Sequence, residues 1–172
     1  FSKEKNTVVL NLNYQYSTLN GRVESVNTQP VKRSYNDFTY FGHPSTYMLD
    51  EGEVLRIFND LDLKYANNPR NFWVVEIADG VLQRETAMLL SRPDVRSRIH
   101  RLVLCATDAF GAIGGLHILE DTYSLFPDAI SGIVASSPLG IRELSNYTKV
   151  PAFDAAGPNL KALSEIILGS AT

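Results

Sequence analysis

No glycine in the chain is followed by lysine, so the phosphate-binding pattern Gly-x-x-x-x-Gly-Lys-[Ser/Thr] is missing. Gly-x-Gly-x-x-Gly is also missing, which argues against a dinucleotide fingerprint. There is no Gly-x-Ser-x-Gly, so a hydrolase nucleophile elbow is excluded. The one cysteine, Cys105, has no partner for an internal disulfide. It ends the apolar run Leu102-Val103-Leu104-Cys105, where a small thiol packed in the interior is the expected state. The three histidines, His43, His100 and His117, are scattered and lack zinc-ligand spacing. No apolar run reaches the roughly 18 residues of a membrane span, and no signal-peptide pattern is visible. Net charge is −3 and the pI about 5.6, so there is no basic footprint for nucleic acid. Arg92, Arg96, Arg98 and Arg101 cluster with Asp94, and a solvated helix face explains them better than a phosphate track. The first residue is Phe1 rather than Met, which fits removal of a preceding segment or a longer parent chain.

What is present suits one globular domain: 172 residues, 44% hydrophobic and 20% charged. Thr7 to Leu12 reads as a strand, Asn20-Gly21 as a hairpin turn, and Arg22 to Val26 as its antiparallel return. Asn27 to Pro44 reads as loop. Asp50 and Glu53 have capping-box spacing, and Val54, Ile57, Phe58, Leu61 and Tyr65 recur at helical spacing until Asn67-Asn68-Pro69. Strands are then expected at Phe72 to Ile77, Arg101 to Cys105, Ile130 to Ala135 and Val150 to Phe153. Helices are expected at Leu82 to Leu90, Ala109 to Leu125, Ser137-Pro138 through Tyr147, and from Pro158 onward. This alternation predicts an α/β fold: a mostly parallel sheet with helices on both faces. Ligands in such folds bind beyond the carboxyl ends of the strands. That directs attention to Ala78 to Gln83, Ala106 to Gly115, Ser136 to Gly140 and Asp154 to Pro158.

Four segments carry candidate chemistry. In Val74-Val75-Glu76-Ile77-Ala78-Asp79-Gly80, two carboxylates stand at a strand end before a glycine. Carboxylate oxygens there suit Mg²⁺, which keeps waters and substrate phosphates in its shell. The competing reading makes Asp79 a helix cap and pairs Glu76 with an arginine. In Thr107-Asp108-Ala109-Phe110-Gly111-Ala112-Ile113-Gly114-Gly115, small residues permit close backbone approach, and a helix N-terminus beside them favours an anion. Against that, Gly114 and Gly115 suit close helix–sheet packing and Asp108 suits an N-cap. In Gly132 to Pro138, Ser136 or Ser137 is placed to bind a ligand, while Ser137 before Pro138 is also a good N-cap. Phe41 to Tyr47 combines hydroxyls, an imidazole and a turn, and reads best as a surface loop with an aromatic anchor.

Together these segments resemble the dethiobiotin-synthetase-like P-loop superfamily. The stretch Val75-Glu76-Ile77-Ala78-Asp79-Gly80-Val81-Leu82-Gln83-Arg84-Glu85-Thr86 is similar to an uncharacterised bacterial branch of it. Segments like His43 to Leu49, Asp108 to Ala112 and Ser131 to Leu139 accompany it in the same order, so the resemblance spans Val31 to Asp154. It implies a three-layer, Rossmann-like sheet that binds ATP and Mg²⁺. By that resemblance Glu76 and Asp37 are metal-binding, Lys32 is catalytic, and Asp108, Gly111, Ser136 and Ser137 are cofactor-binding; Asp79 has no counterpart in dethiobiotin synthetase itself and is a second candidate acid, with a catalytic role, in this branch. One departure stands out. Members carry a Walker A loop and helix before the Lys32 region, and this chain does not.

The expectation is therefore a single domain with an atypical segment over 1–30, a family-like region over 31–154 and a C-terminal helix over 155–172. Its expected function is that of a partial or degenerate ATP- and Mg-binding domain of a ligase or kinase type. The alternative is a non-catalytic domain that binds a partner chain or binds a nucleotide weakly. The expected partner is a small-molecule substrate or nucleotide, with no nucleic acid and no membrane, in the cytoplasm. A homodimer is left open.

Overall fold

The computed structural model describes residues 8–12, 38–47, 49–65, 73–77, 80–157 and 160–168. Its centre is a 4-stranded sheet in the order β2-β1-β3-β4, formed by β1 (Val8–Leu12), β2 (Trp73–Ile77), β3 (Arg101–Cys105) and β4 (Ala129–Ser131). Every pairing is parallel. Leu10 lies in register with Val75 on one side and with Leu102 on the other, and Leu104 with Ile130. The helices are α1 (Glu51–Tyr65), α2 (Arg84–Leu90), α3 (Pro93–Arg96), α4 (Ala109–Tyr123), α5 (Pro138–Tyr147) and α6 (Leu160–Leu168). Among the described residues no helix is long and apolar enough to cross a membrane.

Side-chain alternation divides the core. Successive strand residues point to opposite faces. Leu102 and Leu104 enter the larger cluster with Leu116 and Leu119 of α4, Leu90 of α2 and Leu144 of α5. Val103, between them, packs instead with Ala129 and Leu163 of α6. Helices thus lie against both faces of β3. On β2, Trp73 and Ile77 are buried in the larger cluster, while Val74 is 66% exposed and Glu76 is also exposed.

The capping box forms as its spacing predicts. The Glu53 N–H donates to Asp50 Oδ1 (2.8 Å) and the Asp50 N–H to Glu53 Oε2 (3.3 Å). Val54, Ile57 and Phe58 are the buried stripe of that helix, and Phe58 meets Trp73 with ring centroids 5.3 Å apart.

Several expectations are corrected. β1 is hydrogen-bonded to parallel strands on both sides, so an antiparallel return strand has no edge of β1 left to pair. The expected return, 22–26, lies outside the described residues, as do the Asn20-Gly21 turn and the Asn67-Asn68-Pro69 stop. The strand expected at Ile130 to Ala135 stops at Ser131. Gly132 has φ +91°, and the chain then turns into a 3-10 segment, Ile133–Ser136. The Val134 N–H leaves the sheet and donates to the Ala106 carbonyl (3.2 Å). Val150 to Phe153 contributes a single parallel bridge, Ala152 to Ile130, rather than a strand. Pro151 within it has no N–H to donate, and the bridge is closed by the Ile130 N–H to Pro151 O and the Phe153 N–H to Ile130 O. The expected loop before Pro44 holds a 3-10 turn, Phe38–Phe41. The helix expected from Leu82 begins at Arg84, and that expected to Leu125 ends at Tyr123 on Ser124, which has φ +55°.

The arginines are committed to separate partners. Arg92 pairs with Asp94, Arg98 with Asp62 (2.8 Å), Arg96 donates to the Leu90 carbonyl, and Arg101 donates to the Ile166 carbonyl. Of the two glycines expected to allow close packing, Gly115 does so. A Cβ there would stand 3.2 Å from Leu104 Cδ2, whereas one on Gly114 would meet nothing within 4 Å.

These two kinds of glycine predict opposite outcomes. A Cβ on Gly132 would stand 2.6 Å from the Ala106 carbonyl oxygen, on a backbone conformation suited to glycine. Gly132→Ala should cost on the order of 2–3 kcal/mol in urea unfolding. Gly114→Ala should be neutral or stabilise by up to about 1 kcal/mol. Equal midpoints for the two variants would contradict the packing described.

Candidate functional site

A parallel sheet places all its carboxyl ends on one edge. At that edge β1 separates β2 from β3, and the chain progresses outward to β2 on one side and to β4 beyond β3 on the other. The crevice outside the ends of β1 and β3 is the switch point where ligands of open α/β sheets bind. Its β3–β4 side is stitched together by backbone. The Ala106 N–H donates to Ser131 O (3.0 Å), and Ala106 O accepts from Val134. This fixes the start of α4 beside the 3-10 turn that leads into α5.

Asp108 is the N-cap of α4. Its Oδ1 accepts from the Gly111 N–H (2.8 Å), and its Oδ2 accepts from Thr107 Oγ1 (3.0 Å). The Gly111 bond, then the Thr107 bond, holds its carboxyl below the ordinary value of 3.8. A carboxylate is thus already seated where the helix dipole and free N–H groups favour an anion. A phosphate at this position meets a like charge. Gly111 is exposed, and its N–H is committed to the cap; a Cβ on it would only touch Asp108 at 3.5 Å. Ser137 caps α5, its Oγ accepting from the Gly140 N–H (3.4 Å) with Pro138 in the first helical turn. Ser136 is exposed, and its Oγ donates to Ile133 O (2.8 Å). These four side chains and backbone groups close their own turns.

Glu76 stands apart from them. It is the penultimate residue of β2, exposed, and in register with Asn11 of β1. Among the described residues its side chain has no ion pair or hydrogen bond, so the arginine partner considered for it is not found there. Two strand spacings, about 10 Å, separate its strand from that of Asp108. Lys32, Asp37 and Asp79 lie outside the described residues. Among the described residues no group of three or more His, Cys, Asp or Glu side chains is placed to hold a metal ion. The donor chemistry of Glu76 alone fits a Mg²⁺ that arrives with phosphate oxygens and waters, and not an ion held by the protein alone.

Two features had no sequence signal. One is a pair at the start of α2. Arg84 reaches back to the carbonyls of Tyr47 and Leu49 and pairs with Glu85, which is buried. Both residues stand in the stretch that resembles the P-loop branch, but charged residues at a helix start carry no local signal of burial or of contact with a distant turn. The other is an open depression of about 460 Å³ at the opposite, amino edge of the sheet, lined by Arg96, His100, Arg101, Tyr123, Phe126 and Asp128. Its arginines are committed to the carbonyls of Leu90, Ile166 and His100 and, for Arg101, to Asp128 at 3.5 Å. It lies at the other end of the strands from Glu76, Asp108, Ser136 and Ser137.

No protein-family model matches this chain, and neither a curated protein nor a solved structure is detectably similar to it.

The cap geometry sets a pH dependence. Because the Asp108 carboxyl is depressed in the folded state, its contribution is fully present above the ordinary carboxylate value and is lost as pH falls through the folded value. Asp108→Ala should cost about 1 kcal/mol at neutral pH. The gap between wild type and variant in urea unfolding should shrink as pH drops below 3.8. A gap that is constant or widening toward acid would contradict the cap assignment.

Proposed function

We propose that this domain binds a Mg²⁺-nucleotide weakly at the carboxyl edge of its sheet, as a degenerate relative of dethiobiotin-synthetase-like ATP-dependent enzymes. The observation that carries the reading is Glu76: an exposed carboxylate without a described partner, near the end of the strand that flanks β1. In this reading Mg²⁺ screens the nucleotide phosphates, and Glu76 accepts one position of its shell with waters and phosphate oxygens filling the others. By the resemblance, Lys32 steadies phosphate charge, and Asp37 and Asp79 supply further carboxylates. The chain lacks the lysine of a phosphate-binding loop, since no lysine occurs between Lys5 and Lys32. With Asp108 already capping α4, phosphate affinity is weak and unaided phosphoryl transfer is not expected.

A second reading, a non-catalytic domain that seats a partner chain, has its own support. Phe110, in the first turn of α4, is 89% exposed, and Leu139, in the first turn of α5, is 57% exposed. Both stand on helix turns that begin at the carboxyl edge.

Calorimetric titration separates the two. Mg-ATP should bind with a sub-millimolar to millimolar dissociation constant, and Mg²⁺ alone should give no binding heat. Glu76→Gln should weaken Mg-ATP by roughly tenfold, about 1.4 kcal/mol, with unchanged thermal stability. Absence of heat at millimolar Mg-ATP would leave the partner-chain reading. Unfolding by Glu76→Gln would make the residue structural.

A further inference from the structure

We infer that the depression at the amino edge of the sheet is a binding site for a small organic monoanion, a carboxylate that carries an aryl group; this is independent of the nucleotide reading of the opposite edge. The depression lies where β3 begins and α4 ends, and its volume of about 460 Å³ suits a small ligand. Tyr123, the last residue of α4, lines it while only 8% exposed, and packs in the larger core cluster. Its hydroxyl makes no hydrogen bond among the described residues, yet it is not sealed from solvent as His100 Nδ1 is. A tyrosine buried to this degree ordinarily gives its O–H a partner. An acceptor seated in the depression supplies one.

Charge selects that acceptor. Arg96 lines the same depression, half-buried, and has no carboxylate partner among the described residues. It uses one N–H on Leu90 O. Arg101 donates to Ile166 O and His100 O and stands 3.5 Å from Asp128 Oδ1, while Asp128 Oδ2 accepts from the Leu102 N–H. A guanidinium has more N–H donors than these bonds use. The charges of Arg101 and Asp128 cancel, and Arg96 is left unmatched. The carbonyl ends of α2 and α4 face this edge, and their partial negative charge offsets part of the arginine charge. A dianion would meet Asp128 and both helix ends, whereas a single carboxylate is balanced by Arg96. Phe126, 69% exposed, gives the depression an aromatic side. An aryl carboxylate answers both features: its ring rests on Phe126, and its oxygens accept from Arg96 and Tyr123.

Titration of isotopically labelled protein with sodium benzoate tests the site. Benzoate should shift the amide resonances of 97–100 and 123–126 saturably, with a dissociation constant in the millimolar range. Benzamide, the neutral isostere, and acetate, which lacks the ring, should each bind roughly tenfold more weakly. Phenyl phosphate, with the same ring and a second charge, should bind no tighter than benzoate. Tyr123→Phe keeps the packed ring and removes only the hydroxyl. It should fold as the wild type does and weaken benzoate roughly fivefold. Arg96→Gln should weaken benzoate roughly tenfold, and Tyr123→Phe decides alone if that variant fails to fold. No saturable shift at tens of millimolar benzoate overturns the site. Benzamide equal to benzoate overturns recognition by charge, and phenyl phosphate tighter than benzoate overturns the choice of a monoanion. Benzoate affinity undiminished in Tyr123→Phe overturns the part given to the hydroxyl, and undiminished affinity in a folded Arg96→Gln overturns the part given to the arginine.

Discussion

The hydrogen bonding of β1 on both of its edges is the constraint from which the rest of the arrangement follows. A strand with two parallel neighbours belongs to the interior of a sheet, and its carboxyl end opens onto the rim shared by the other strands. With β2 on one side and β3 on the other, Glu76 lies one strand away from the β1–β3 crevice, on the sheet face of Val74 and Val103 and opposite the face that α4 covers. The N-terminal strand is thus the axis of the fold and not an appendage to it. Unpairing it would separate β2 from β3 and divide the larger core, since Trp73 and Ile77 share that cluster with Leu102 and Leu104.

Around this axis the rim has two characters. On the β3–β4 side polar groups are committed to local backbone: Asp108 to Gly111, Ser136 to Ile133, Ser137 to Gly140. Such groups define helix starts and leave little capacity for a ligand. On the β2 side Glu76 is exposed, and Arg84 draws a distant turn toward the start of α2. The described polar groups are thus committed on the β3–β4 side, which forms a tightly tied frame. Gly132 tightens that frame, because the backbone of Ala106 occupies the space a side chain would need.

Elements with a strong periodic signal were legible in the sequence. The Asp50–Glu53 box and the Val54, Ile57, Phe58 stripe specified α1, and Ser137-Pro138 specified the start of α5. The apolar run ending at Cys105 specified β3 because such runs suit a strand covered on both faces. Pairing was less legible. Asn20-Gly21 carries a local hairpin preference, whereas the partners of β1 come from residues far along the chain, and local chemistry contains no record of them. The run after Ile130 reads as one strand by hydrophobicity, but Gly132 and the Ala106 carbonyl redirect it. At the rim, Asp108 and Ser137 suit both a cap and a ligand contact, and distances to Gly111 and Gly140 were needed to assign the caps. The Arg84–Glu85 pair was invisible because burial of Glu85 depends on tertiary packing.

The place of β1 can be measured through interstrand backbone NOEs in isotopically labelled protein. Leu10 and its neighbours should show parallel-type contacts to the backbone around Val75 and, at the same time, to that around Leu102. Antiparallel contacts between 8–12 and 22–26, with either of those two sets missing, would contradict the central strand and with it the crevice on which the functional reading is built.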